Sequence, residues 1–454
     1  MLTMKRFPLA HLGLRASLVF LLAASQWCAA LQAQAQASAP LSEQPASRPS
    51  KKHPIPQPAV EKPSQPPAFA IPVESIGFTA PGSFYLGQRY SHVSLDFMDE
   101  DHLLFSFRVP GLIRREAEEK GEGDERQIRA LVLALPSGTI QSEALWTVHD
   151  HARYLWMLND GHFLLRDRDG LGQGDSTLEV KPLLHFPGPL LWLEMDPAQQ
   201  FLVTDSHEPA TAASRPGDVA SPPTADAALT VDGERTDSRQ DTVIRILHRS
   251  TGQVMLMSRS RSTVHLPINA EGYLESLRGN GTQWLLNLNY FTGGSTVLGK
   301  VNSTCSPLMN FVSSREVLAT VCDAYGAYRL VALGAGGLHL WEAQTTRQAI
   351  WPLLVMGPDG SRLARETMSV DHALNARAPL STEDIKGQVV EVYDAADGHL
   401  ALTAPASPVL DAGGNVAISP SGRRVAVLSA GAIQVFELPA PPPLTASADH
   451  PAKP

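Results

Sequence analysis

Several features that would point to a familiar class of protein are missing from this sequence. It has 3 cysteines in 454 residues and contains no C-x-x-C, H-E-x-x-H, Walker or G-x-S-x-G motif. Clusters of lysine and arginine are also missing, and the formal net charge is -9. These absences argue against the common zinc sites, P-loop nucleotide binding and α/β-hydrolase chemistry. They also argue against nucleic-acid binding, because an acidic surface repels phosphate backbones.

The first residues have the composition of a secretory signal peptide. A positive region with Lys5, Arg6 and Arg15 is followed by the short apolar run Ala16–Ala24 and then by small residues. The alternative is an uncleaved membrane anchor, but the apolar run is well short of the ~20 residues that span a bilayer. We therefore predict a signal peptide at residues 1–37, a periplasmic or secreted protein, and no transmembrane segment after cleavage.

Removing that leader leaves two cysteines, Cys305 and Cys322. An oxidising compartment permits a disulfide between them. Two buried free thiols would instead pack as small hydrophobic side chains. The sequence leaves both possibilities open.

Proline-rich and polar ranges flank and interrupt the part that can fold. Residues 38–70 read as a disordered linker, because prolines recur among Ser, Gln, Ala and Lys with almost no aliphatic material. Residues 440–454 form a similar tail, and residues 208–241 read as a disordered insertion without aromatic residues. The remaining core-forming range is 71–439.

Within that range helical spacing is almost absent, and short apolar alternations are separated by turn residues. The stretch "NVAISPSGRRVAVLSAGAIQVFELP", residues 415–439, contains three such strands joined by Ser-Pro-Ser-Gly and Ala-Gly turns. Its first hairpin recurs six more times, and a second hairpin follows most copies. Two hairpins make a four-stranded antiparallel sheet that must stack on its neighbours. The sequence therefore predicts an all-β, seven-bladed β-propeller, with a β-sandwich as the alternative.

The units "VEVYDAADGHLAL" and "VAISPSGRRVAVLS" resemble blades of WD-repeat-like and quinoprotein-like propellers. The resemblance implies architecture and no specific family, since no Trp-Asp dipeptide ends a blade. Asp394 and Gly398 match the Asp-x-x-x-Gly element expected of quinone-cofactor enzymes, but no Trp follows closely. We therefore expect no cofactor.

The last unit contains three strands, so its fourth strand should come from the other end of the domain. Such a closure removes the unpaired edge that an open array would expose. The segment "SFYLGQRY", Ser83–Tyr90, precedes the first full hairpin and is the predicted closing strand.

Two short stretches carry the candidate binding residues. "HDHAR" contributes His149, His151 and Arg153, and "RDRDGLGQGD" contributes Asp167 and Asp169. The alternative for the first is a solvated connection, and for the second a glycine-rich turn, because it departs from the EF-hand pattern. We assign no catalytic residue and no metal site.

The long segments of the chain are predicted to lie on one face. With strands labelled a to d from the inside outwards, the ranges Arg114–Arg126, Arg166–Asp175, Glu208–Asp241 and Val370–Lys386 should all connect b to c. Long connections on one face are typical of a scaffold whose binding site lies on that face. The sequence favours an exported, monomeric, non-enzymatic propeller that binds a protein or cell-envelope ligand there. The alternatives are a lactonase-like or glycan-cleaving propeller enzyme and a purely structural module.

Overall fold

Strands account for nearly all the regular structure in the described residues. The computed structural model describes residues 62–82, 90–110, 125–149, 152–209, 240–260, 264–314, 316–323, 328–344, 349–370 and 384–443. These residues belong to one unit, Ile55–Pro454. Short 3-10 helices occur at Glu74–Ile76 and Ala335–Gly337, and no helix in the described ranges is long and apolar enough to cross a membrane.

The strands are numbered in chain order. The first nine are β1 (Phe69–Pro72), β2 (Val93–Phe97), β3 (His102–Arg108), β4 (Arg126–Ala134), β5 (Thr139–Val148), β6 (Leu155–Met157), β7 (Phe163–Asp167), β8 (Gly170–Gly174) and β9 (Val180–His185). The next nine are β10 (Leu190–Met195), β11 (Phe201–Pro209), β12 (Gln240–His248), β13 (Val254–Ser260), β14 (Gly272–Arg278), β15 (Gln283–Tyr290), β16 (Ser295–Asn302), β17 (Leu308–Phe311) and β18 (Val317–Cys322). The last nine are β19 (Tyr328–Leu333), β20 (His339–Gln344), β21 (Ala349–Met356), β22 (Arg362–Val370), β23 (Ile385–Asp394), β24 (Leu400–Ala406), β25 (Val416–Ile418), β26 (Arg424–Ser429) and β27 (Ala432–Glu437).

Hydrogen bonding groups these strands into seven antiparallel sheets. Their orders are β2-β3-β4-β5, β6-β7-β8-β9, β10-β11-β12-β13, β14-β15-β16, β17-β18-β19-β20, β21-β22-β23-β24 and β25-β26-β27-β1. Contacts between the first strands of neighbouring sheets, such as β2 with β25 and β6, place those strands innermost. The last strands, such as β5 and β13, are the most exposed.

One apolar cluster lies at each junction between consecutive sheets. Leu104 of the first sheet and Phe163 of the second belong to one such cluster. Each of the next five junctions has its own cluster, and the seventh contains Val435 of the last sheet and Phe97 of the first. Seven junctions for seven sheets close a ring. The domain is a seven-bladed β-propeller, and the predicted architecture is confirmed.

The fourth blade has an irregular innermost strand. Residues 264–269 run beside β14 with one bridge, Ile268 to Tyr273, and hydrogen bonds from Asn269 N to Gly272 O (2.9 Å) and Leu274 N to Pro267 O (2.8 Å). Pro267 has no N–H to donate, which prevents a regular ladder. Because this strand takes position a, the turn at residues 279–282 joins strands b and c. The sequence pattern "YLESLRGNGTQWLLNL" predicts Gly279–Gly281 as the turn of a first, inner hairpin, and that prediction is wrong.

A strand near the N-terminus closes the last blade, but it is not the predicted one. β1 pairs with β27 in antiparallel register, with Phe69 opposite Val435 and Ile71 opposite Ile433. Residues 83–89 lie outside the described residues, and Tyr90 is not in a strand. β1 begins inside the range that we assigned to the linker, where its few apolar residues stand among prolines. An outermost strand tolerates Pro72 because it needs partners on one side only.

Candidate functional site

The two faces of the propeller differ in their connections. Strands alternate in direction, so the b–c connections and the links between consecutive blades share one face, named the long-loop face. The a–b and c–d turns share the other, named the short-turn face. Three of the predicted long segments lie between strands b and c, at residues 109–125, 210–239 and 371–384.

The fourth predicted long segment, Arg166–Asp175, is not a loop. Arg166 and Asp167 end β7, and Gly170–Gly174 form β8, so the connection is only Arg168 and Asp169. Arg168 has φ 52°, a left-handed conformation that a tight turn requires. The glycines that resemble a loop in sequence lie in a strand. Beside Gly174, the Phe163 ring leaves no room for a larger residue.

Two of the predicted binding residues meet between blades one and two. His149 Nδ1 lies 2.9 Å from Asp167 Oδ1, and the His149 backbone N–H donates to the same oxygen at 2.9 Å. The His149 side chain is 15% exposed and that of Asp167 is 40% exposed. The pair therefore links two blades while leaving one side of the carboxylate open to solvent.

The other predicted residues do not join this pair. Asp169 Oδ2 lies 3.7 Å from Nε2 of His185, at the surface. His151 lies outside the described residues. Arg153 turns towards the centre of the ring, so "HDHAR" does not act as one cluster in the described structure.

Arg153 belongs to a charged group beside the central channel. Its Nε donates to the Leu155 carbonyl at 2.9 Å, and its guanidinium carbon lies 5.3 Å from the centroid of the Trp156 ring. Burial lowers the pKa of Arg153 and the charge of Asp96 opposes this effect. Burial raises the pKa of Asp96, with partial opposition from a 2.6 Å hydrogen bond donated by Ser94 and from Arg153. Arg153 is nevertheless an exposed residue. A side chain at the concave opening of the channel can be surrounded by protein atoms and still contact solvent.

Sequence reasoning missed a second charged pair in the interior of the ring. His265 Nδ1 lies 3.0 Å from Glu194 Oε2, and His265 Nε2 lies 2.8 Å from the Met309 carbonyl oxygen. Burial favours the neutral ring, but Glu194, the Met309 carbonyl and Asp205 outweigh it, and the pKa of His265 is raised above 6.5. The residues come from innermost strands of three consecutive blades. No local motif in the sequence could reveal such a pairing.

The chemistry available at these positions is charge pairing. Asp96 and Glu194, which lie on innermost strands, each have a basic side chain close by. Within the described ranges, no group of three or more His, Cys, Asp or Glu side chains could hold a metal ion. The arrangement can bind charged or hydrogen-bonding groups of a ligand.

A disulfide braces the long-loop face at blades four and five. Cys305, in the connection between β16 and β17, is bonded to Cys322, the last residue of β18, with the Cα atoms 5.5 Å apart. Thr304 N donates to the Cys322 carbonyl at 3.0 Å beside the bridge. The bridge therefore attaches the connection between blades four and five to the end of β18.

Loss of this disulfide is expected to destabilise the domain measurably. It closes a loop with a sequence separation of 17. Closing a loop of this size restricts the unfolded chain and contributes roughly 3 kcal/mol. Urea unfolding should show that loss in the Cys305→Ser/Cys322→Ser double variant, and dithiothreitol should affect only the wild type. An unchanged wild-type midpoint in dithiothreitol would show that the bridge contributes nothing.

No family model and no curated protein matches this chain. Among solved structures it is similar to the acylaminoacyl peptidase of Pyrococcus horikoshii, with TM-score 0.46 and 10% identity over 78% of this chain and 52% of the peptidase. The WD40 domain of Toxoplasma gondii coronin has TM-score 0.44 and 10% identity, with 86% and 89% covered. The β-propeller domain of the Trilobed protease from Pyrococcus furiosus has TM-score 0.42 and 10% identity, with 80% and 99% covered.

The chain spans about half the length of the acylaminoacyl peptidase, of which 52% is covered. At these identities the likeness concerns the fold alone. It assigns no activity, substrate or partner to this protein.

Proposed function

We propose that this protein is an exported, non-enzymatic scaffold that binds a protein or cell-envelope ligand on its long-loop face. The observation that carries the proposal is that the strands flanking three long b–c connections, residues 109–125, 210–239 and 371–384, all have the ends that they join on one face. That face also carries Arg153, an exposed residue that precedes the innermost strand of blade two. Variable loops on a rigid β framework are a common way to build a recognition surface.

Support for export comes from two features. The leader has the charge and hydropathy order of a signal peptide. The Cys305–Cys322 bridge suits an oxidising compartment, where disulfides persist. The export of this chain remains part of the proposal.

The geometry favours binding over hydrolysis. A lactonase-like or glycan-cleaving enzyme would need a metal site or two converging carboxylates at the channel mouth. In the described part of the channel, the charge of Arg153 instead acts on Asp96, and His265 Nδ1 lies 3.0 Å from Glu194 Oε2. Such pairs can orient a charged ligand.

The proposed binding surface is tested by reversing one charge on each face. The bait is protein isolated from the periplasmic fraction, whose N-terminus is expected after Ala33, Ala35 or Ala37. Arg153→Glu should remove most binding of solubilised envelope components, because it places a carboxylate beside Asp96. Asp397→Lys, on the short-turn face, should leave binding unchanged.

Pull-down followed by mass spectrometry compares the two variants, and equal melting temperatures confirm that both remain folded. Loss of binding only from Asp397→Lys would reverse the assignment of the faces. If the intact protein binds nothing specifically, the structural-module alternative is favoured.

A further inference from the structure

The short-turn face contains a cleft that the proposed function does not use. The cleft has a volume of about 750 Å³ and runs between blades one and two. We name it the blade 1–2 cleft. The residues that line it include Met98, Asp99, Val132, Gln141, Ser142 and Asp160. A volume of this size is in the range of ligand sites in proteins.

The cleft combines an apolar floor with an acidic rim. Met98 and Val132 are 4% and 1% exposed, so only parts of these core side chains reach the floor. Asp99 and Asp160 stand on the rim, with side chains 59% and 54% exposed. This combination is complementary to a long side chain with an aliphatic stem and a cationic head.

The rim keeps an excess of negative charge after its internal contacts are counted. His102 Nδ1 lies 2.9 Å from Asp99, and His162 Nδ1 lies 3.1 Å from Asp160. The hydrogen bonds that Thr177 donates lower the pKa of Asp175, which favours its ionised form. Glu100 adds a fourth carboxylate, which accepts a 2.7 Å hydrogen bond from Ser421 N. The lining thus contains four carboxylates, and the cationic groups beside them are Lys181, whose charge acts on Asp175, and Arg424, whose Nη1 donates to the Glu100 carbonyl at 2.6 Å.

One wall of the cleft offers neutral hydrogen-bonding groups. Gln141 and Ser142 lie on the outermost strand of blade one. Among the described residues, neither side chain has a hydrogen-bond partner. Their amide and hydroxyl groups can both donate and accept, which matches the alternating N–H and C=O groups of a peptide backbone.

We propose that the blade 1–2 cleft binds a peptide segment carrying lysine or arginine. The basic side chain lies with its stem on Met98 and Val132 and its head between the rim carboxylates, while Gln141 and Ser142 hold the backbone. A polyamine would bind the rim carboxylates, but it has no peptide backbone for the side chains of Gln141 and Ser142 to hold. This site shares no residue with the long-loop face, so the two proposals can fail separately.

The chain provides a matched pair of variants for the test. Asp160-Gly161-His162 and Asp397-Gly398-His399 have the same sequence in two turns of the short-turn face, an a–b turn of blade two and a c–d turn of blade six. In each, the aspartate accepts a hydrogen bond from the histidine N–H, at 3.2 Å and 2.9 Å. Asp160→Asn and Asp397→Asn therefore each remove one negative charge and leave a side-chain oxygen that can still accept from the histidine N–H, but only the first lies in the cleft.

The probe is fluorescein-labelled pentalysine, followed by fluorescence anisotropy with the full mature chain. A charge-assisted hydrogen bond contributes enough that Asp160→Asn should weaken binding roughly tenfold or more. Asp397→Asn should bind like the wild type. Equal weakening by both variants would show attraction to diffuse acidic charge and overturn the proposal, as would no binding by the wild type.

A second variant distinguishes peptide binding from polyamine binding. It changes an exposed residue, so that a loss of binding does not reflect misfolding. Gln141→Ala changes an exposed wall residue and should weaken pentalysine binding while leaving spermine binding unchanged. Spermine that binds as tightly as pentalysine, together with no effect of Gln141→Ala on either ligand, would overturn the peptide assignment.

Discussion

A truncated chain that begins at Val73 is expected to aggregate or remain unfolded, whereas one that begins at Lys62 should melt like the mature protein. The difference is β1, the outermost strand of the last blade. Without β1, β27 presents an unpaired edge, which favours aggregation. The ring also loses contacts that hold its first and last blades together.

The side chains of β1 explain why four residues matter so much. Ile71 is 3% exposed and packs with Phe97 of blade one and Ile433 of blade seven. The preceding residues add to the closure, because Ser64 N donates to the Thr403 carbonyl of blade six at 2.8 Å. The N-terminal segment therefore contacts three consecutive blades.

A single substitution isolates the packing contribution of β1. Ile71→Ala should lower the free energy of unfolding by about 2–5 kcal/mol, a large part of the roughly 5–15 kcal/mol that a domain has in total. Ala70→Ser changes the exposed neighbour in the same strand and serves as the control. Urea unfolding measures both. Equal midpoints for Ile71→Ala and Ala70→Ser would contradict closure by β1.

Glu366→Gln is expected to stabilise the domain above neutral pH. Glu366 lies in the middle of β22, is 0% exposed, and neither of its carboxylate oxygens has a hydrogen-bond partner among the described residues. The connection between blades six and seven covers it, and a Cβ at Gly413 would stand 3.3 Å from Oε2. Burial without a partner raises the pKa of Glu366 from 4.5 to about 8.

The direction of the pH effect follows from that raised pKa. Between about pH 4.5 and about pH 8, the folded chain keeps a proton on Glu366 that the unfolded chain releases. The wild type therefore loses stability as pH rises through this window, and above it the penalty is constant. Glu366→Gln removes the titration, so its advantage should grow from near zero to roughly 3–5 kcal/mol.

Urea unfolding across that window measures the effect, with Glu179→Gln as a control at an exposed glutamate. The glutamine variant should show a flatter dependence of stability on pH than the wild type. Parallel profiles for wild type and Glu366→Gln would mean that Glu366 does not titrate between the two states.

Much of the fold was predictable because the necessary information is local. Alternating apolar residues and turn sequences such as Asn159-Asp160-Gly161 mark hairpins without knowledge of distant contacts. The prediction failed where local patterns mislead. Pro267 disguises an innermost strand, and glycines make Gly170–Gly174 look like a loop although pairing with β7 and β9 makes it a strand.

The candidate site was less predictable. His149 and Asp167 were selected separately for their chemistry, and their hydrogen bond depends on the packing of blade one against blade two. Glu194 and His265 were not selected, because each stands alone among apolar residues in the sequence. A charged pair formed across blades leaves no spacing signature along the chain.

The sequence by itself determined that this protein is all-β, that it repeats seven times and that long connections join strands b and c, as three of the four predicted segments do. Strand alternation and turn chemistry are properties of adjacent residues, and repetition makes stacking necessary. Only the tertiary structure decided that Phe69–Pro72 closes the ring, that residues 264–269 complete the fourth blade and that Glu366 is buried without a partner. These features depend on which distant segments exclude water from one another, and the predicted segment Ser83–Tyr90 has the local pattern of a strand as well as Phe69–Pro72.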